Sequence, residues 1–116
     1  MSALEERLQS VLAPCASGGA HQDIAVQGVV APYIVWQIVI SPTNNSLSGA
    51  SDVQNARVQV DAYAATPAAR HALALAVLTA MAAATFQNVQ ISGQNLYEPE
   101  VGLHRALLEF SVWAAG

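Results

Sequence analysis

The sequence contains no lysine. Its four positive charges are Arg7, Arg57, Arg70 and Arg105, set against eight acidic residues, for a net charge of -4 over 116 residues. A basic footprint for nucleic acid is therefore absent. Charge of either sign is scarce, at 10% of residues, where an ordinary soluble domain carries about 25%. Two readings of that scarcity stay open. One is a small monomer whose Ser, Asn and Gln keep it soluble. The other, which we favour, is a surface largely covered by other subunits, because interface cores are depleted in charge. Cys15 is the single cysteine, which excludes an internal disulfide and a cysteine-only metal site and leaves a buried or inert thiol as the default. Glu5 and Glu6 near the start are wrong for the positive region of a signal peptide. The uncharged stretch 72–86 is too short and too alanine-rich to span a membrane. These absences point to assembly in a cytosol and to no membrane partner.

What is present is apolar. Hydrophobic residues make up 53% of the chain, which excludes intrinsic disorder, and the length fits one domain over 1–116 with room for a real core. Ser2 and Glu5 stand at capping-box spacing. Leu4, Leu8, Val11 and Leu12 then form one apolar stripe, with Glu5, Glu6, Gln9 and Ser10 outside it. Pro14 and Gly18-Gly19 end that helix. Residues 20–26 allow a short strand. Tyr33–Ile40 is β-branched and aromatic, apolar on both faces, and reads as an interior strand. After the polar segment 41–52, which is long for a hairpin loop, Val53–Ala64 alternates. Ala56, Val58, Val60 and Ala62 point one way, and Asn55, Arg57, Gln59, Asp61 and Tyr63 the other. This strand should pair antiparallel with 33–40.

Thr66-Pro67 caps a helix that should run to about Ala84. Its stripe is Leu73, Val77, Ala80, Met81 and Ala84, widened by Leu75 and Leu78. From His71 to Glu98 no charge intervenes, so burial on more than one side is expected. The tail reads as a hairpin: 88–97, with Val89, Ile91 and Tyr97 on one face and a bulge or bend at Gly93, a turn at 98–102, and an alternating strand 103–114. The fold class is α+β, a mainly antiparallel sheet of about four strands with two helices packed on one face.

No catalytic constellation emerges. His21, His71 and His104 match no zinc spacing, and His21-Gln-Asp23 reads as a solvated loop pair rather than a metal fragment. There is no Gly-x-Ser-x-Gly elbow and no phosphate loop after Gly18-Gly19. Asn44-Asn-Ser46 is a chance glycosylation match. Glu98 and Glu100 read as solubilising charges. Arg57, Asp61, Arg105 and Glu109 lie on the polar faces of two strands. They suit cross-strand ion pairs on a wet sheet face or, alternatively, an inter-subunit or channel-lining role. No enzyme, cofactor or metal is expected.

The order of motifs nevertheless carries a resemblance. Pro32-Tyr-Ile-Val-Trp-Gln37, the polar loop, Asn55-Ala-Arg-Val-Gln-Val-Asp-Ala-Tyr-Ala64 and the Thr66-opened alanine-rich helix with Leu73 and Ala76 resemble the tail completion (tail terminator) proteins of tailed bacteriophages, prophages and gene transfer agents. Trp36 stands where that family usually has Tyr or Phe. The resemblance covers nearly the whole chain and implies a structural virion protein of the tail or neck. Its expected partners are copies of itself in a ring, usually a hexamer, the tail tube protein and the head-tail connector or adaptor. DNA would pass through the ring without specific binding. The implied role is to cap the head-proximal end of the tube, stop its polymerisation and join tail to head. The alternatives are another neck protein of the same particle or a small-ligand-binding α+β domain. Candidate interface residues are Thr43, Asn44, Asn45, Ser46, Leu47 and Ser48 of the loop, with Arg57, Asp61, Arg105 and Glu109 of the strands.

Overall fold

A Leu-rich stripe begins the structure. In the computed structural model, which describes residues 3–39 and 53–115, helix α1 spans Ala3–Leu12 and buries Leu8 and Leu12 completely, with Leu4 and Val11 packed beside them. The expected cap Ser2 lies outside the described residues. A 3-10 turn at Ala13–Cys15, with Pro14 inside it, ends the helix. Gly18 then permits a close backbone approach. A Cβ there would lie 2.4 Å from the Val30 carbonyl oxygen and 2.5 Å from that of Pro32, and the Gly18 N–H donates to the Pro32 carbonyl at 2.8 Å.

The described sheet has five strands: β1 (Ala20–Gln22), β2 (Tyr33–Val39), β3 (Val53–Ala64), β4 (Gln87–Glu98) and β5 (Leu103–Ala115), in the spatial order β1-β2-β3-β5-β4. β2 pairs antiparallel with β3, as the alternation required, and β3 and β4 each pair antiparallel with β5. The strand beyond the expected four is β1, which runs parallel to β2. It occupies the start of the 20–26 stretch that allows a short strand, and with three residues it is too short to show a period of its own.

Register fixes the faces. Ile34, Ala62 and Ala106 lie in one row, Trp36, Val60 and Leu108 in the next, and Ile38, Val58 and Phe110 in the third. These residues and the buried helical ones form one cluster. Helix α2 (Pro67–Ala82) is capped by Thr66, whose Oγ1 accepts from the Ala69 N–H at 3.1 Å. It buries Leu73, Val77 and Met81 against this face. Ala83 closes the helix, and the Asn88 side chain donates at 2.9 Å to the Met81 carbonyl, which also accepts from the Ala84 N–H at 3.2 Å. Both helices cover the same side of the sheet. Leu75, expected to widen the buried stripe, is exposed. Gln9, expected to face outward, is half-buried. It accepts from Trp36 Nε1 at 2.9 Å and donates to the Ala20 carbonyl at 2.8 Å, because a buried indole N–H needs a partner.

The bulge lies at Ile91, not Gly93. Gln90 faces Phe110 and Ser92 faces Glu109, so Ile91 is the extra residue. One inserted residue reverses the alternation beyond it. Val89 therefore shares a face with Ser111, whereas Tyr97 pairs with His104 on the opposite, helix-bearing face.

Candidate functional site

The other face of the sheet is covered by neither helix. The pleat places Tyr33 and Val35 of β2, Arg57, Gln59, Asp61 and Tyr63 of β3, and Arg105, Leu107, Glu109, Ser111 and Trp113 of β5 on it. Most of these side chains are half-buried against each other.

A chain of contacts crosses this face near one end. His21 meets the edge of Tyr33, with ring centroids 6.4 Å apart. Tyr33 stacks on Tyr63 at 4.9 Å, and the Arg105 guanidinium lies 5.9 Å from the Tyr63 ring centroid. Arg105 is held on both sides. Its Nε and Nη2 each approach Asp61 Oδ1 at 3.0 Å, and its Nη1 donates to Glu98 Oε1 at 2.8 Å. Gln59 Nε2 donates to the second Asp61 oxygen at 3.2 Å. Asp61 is buried, and these donors are what make an ionised carboxylate tolerable there. Burial works against the Arg105 charge, but the hydrogen bond to Glu98 and the Asp61 carboxylate outweigh it and raise its pKa. Burial pushes the Tyr33 and Tyr63 phenols up as well. At Tyr63 the Arg105 charge pulls the other way, and Asp61, Tyr33 and Glu98 add to the rise. Beside the cluster is a hollow of about 340 Å³, walled by Asp23, Ile24 and Ala25 on one side and Glu98, Glu100 and Val101 on the other.

The structure sorts the sequence candidates. Asp61 and Arg105 come together as an ion pair. Arg57 is exposed opposite Ser111 and forms no ion pair with a described residue, while Glu109 accepts from Ser92 Oγ at 2.9 Å. Opposite charges do not face one another across β3 and β5: Arg57 faces Ser111, Gln59 faces Glu109, Asp61 faces Leu107 and Tyr63 faces Arg105. Arg105 reaches Asp61 on the diagonal. Thr43, Asn44, Asn45, Ser46, Leu47 and Ser48, and the sequon with them, lie outside the described residues. Glu98 is a correction, since it is an ion-pair partner of Arg105 rather than a free solubilising charge. The Tyr33–Tyr63 stack was not foreseen. Its signal is that Tyr33 opens one strand and Tyr63 closes its antiparallel partner, which matters only once the register is known. The His21 ring nitrogen lies 2.9 Å from the Gly18 carbonyl oxygen, and among the described residues no group of three His, Cys, Asp or Glu is placed to hold a metal ion. Cys15 is half-buried, and that burial raises its thiol pKa, as expected of an inert thiol.

On this face the one clustered cation is neutralised and the aromatic rings are fixed against each other. The model of the family described as tail completion protein gp17 matches residues 3–115, nearly the whole chain. The chain belongs to that tail completion family. A search of the curated proteins finds no significant match. As a member of the family, the protein is a structural component of a phage tail and associates with other components of the virion tail. Among the described residues no helix is long and apolar enough to cross a membrane.

Proposed function

We propose that the protein, acting as one domain over 1–116, forms a closed ring of six copies that caps the head-proximal end of the tail tube. The ring stops tube polymerisation and presents a new surface to the head connector. The observation that carries this reading is a sheet clothed by helices on one face only, in a chain matched over nearly its whole length by the tail completion family. A half-exposed face bearing Tyr33, Leu107 and Trp113 suits contact with another protein. The logic of termination is geometric. A tube that grows by stacking like rings always offers a fresh copy of its growing surface. A ring that matches that surface on one side only blocks the next addition. The net charge of -4 also suits a conduit that lets DNA pass without gripping it. Arg57, Asp61, Arg105 and Glu109, with Thr43–Ser48, are the proposed interface residues.

Particles assembled without the protein test the reading. It expects tubes of uncontrolled length and heads without tails. Tails of normal length joined to heads would contradict both the termination and the joining roles.

A further inference from the structure

The two edges of the sheet are unlike. β4 forms one edge and pairs only with β5. It is twelve residues long and exposed over most of its length. Proteins blunt such an edge with lysine, proline or inward charge, yet from Gln87 to Tyr97 the strand has none of these. Among the described residues it is interrupted by the bulge at Ile91, and its Ser92 and Leu96 carbonyls accept from the Gln90 side chain at 3.2 Å and from Arg70 Nη1 at 3.5 Å, while no other strand pairs with it. Val89, 50% exposed, and Ile91 lie there in the open.

The opposite edge is closed to an added strand. β1 has three residues. The Ala20 carbonyl is taken by Gln9 Nε2, and the Gln22 carbonyl accepts from the Ile24 N–H at 2.7 Å. What this side offers instead is the loop that returns the chain from β1 to β2, where Ile24 is 78% exposed, Val30 76%, and Val26 is open as well. No charged residue occurs from Ile24 to Val39, nor from Ala72 to Tyr97. The loop beside one edge and the strand at the other therefore both lie in charge-free stretches, the composition of an interface core.

We propose that ring subunits join head to tail through these two sides: the β4 edge of one copy receives the Ile24–Val30 loop of the next. The inference rests on the ring reading and specifies its contact. One side has unpaired strand edge and apolar side chains, and the other has a capped edge with an apolar loop. Such a pair is heterologous, the kind of contact that closes rings. A β4-to-β4 pairing would make two-fold dimers and leave Ile24, Val26 and Val30 in water. In the head-to-tail ring the helix-free faces of all copies form one continuous band, open to other tail components.

The test uses the full chain in assembled tails. Val26→Cys and Ile91→Cys are introduced singly and together in a Cys15→Ala background. Circular dichroism and incorporation into tails verify the fold. Oxidation should turn most doubly substituted subunits into a ladder of covalent multimers ending at the ring, while each single variant stays monomeric on a non-reducing gel. Dimers from Ile91→Cys alone would overturn the proposal in favour of two-fold pairing. A ring visible by electron microscopy without the ladder would overturn the proposed contact and leave the ring standing. Absence of any ring at the tube end would overturn the ring reading itself.

Discussion

The two faces of the sheet are made from the same strands and solve different problems. Along β3, Val58, Val60 and Ala62 point into the helical layer and are fully buried, while Arg57, Gln59, Asp61 and Tyr63 point the other way. The inner face is held by hydrophobic burial within the chain. The outer face holds its own side chains in place with the Tyr33–Tyr63 stack and the double clamp on Arg105. Such a surface gains less stability than a core but keeps its shape, which suits docking to a rigid partner with little loss of entropy.

The two tryptophans place this contrast on one scale. Trp36 lies on the inner face and is fully buried, whereas Trp113 lies on the outer face and is half-buried. Trp36→Ala should cost about 3–5 kcal/mol, and Trp113→Ala about 1 kcal/mol, measured by urea denaturation. Equal losses would mean that the outer face is itself a core. Adjacent leucines repeat the comparison at smaller size. Leu108 faces the helices and Leu107 the open side. Leu108→Ala should cost about 2–4 kcal/mol and Leu107→Ala clearly less.

The clamp comes next. Arg105→Met removes the guanidinium from the buried Asp61 carboxylate, and about 2 kcal/mol of stability should go with it, below the range for a fully buried pair because both side chains retain some solvent. Asp61→Asn in the same chain should recover part of that loss, read as a non-additive double-mutant cycle. The smallest effect is on the alkaline limb. Tyr33 and Tyr63 have raised phenolic pKa values in the folded chain. The folded state therefore keeps protons that the unfolded chain has released. This contribution is fully present below about pH 10, the unfolded tyrosine value, and is lost as pH rises through the folded values. Replacing both residues by Phe should flatten the alkaline fall in thermal stability. An unchanged slope would remove the stack from the account.

The inner face was legible in the sequence because burial leaves a period. The alternation of β3, the Leu8–Leu12 stripe and the Thr66-Pro67 helix start are written in residue order. The outer face was legible only as a set of charges, because pairing there depends on register. Four charged residues on two strands produced one ion pair between them, Asp61 with Arg105. The second partner of Arg105 is Glu98, which belongs to the end of a third strand. β1 left no period, and the bulge at Ile91 carries no glycine to announce it. These features are set by neighbours in space, which a single chain of letters does not display.

Hydroxyl-radical footprinting of the free chain and of assembled tails tests most directly whether the helix-free face is an assembly surface. Trp36 should stay protected in both, because the fold itself covers it. Tyr33, Leu107 and Trp113 should be oxidised in the free chain and protected several-fold in the tail. Equal oxidation of Trp113 and Tyr33 in the two states would contradict the claim that this face meets another component of the virion.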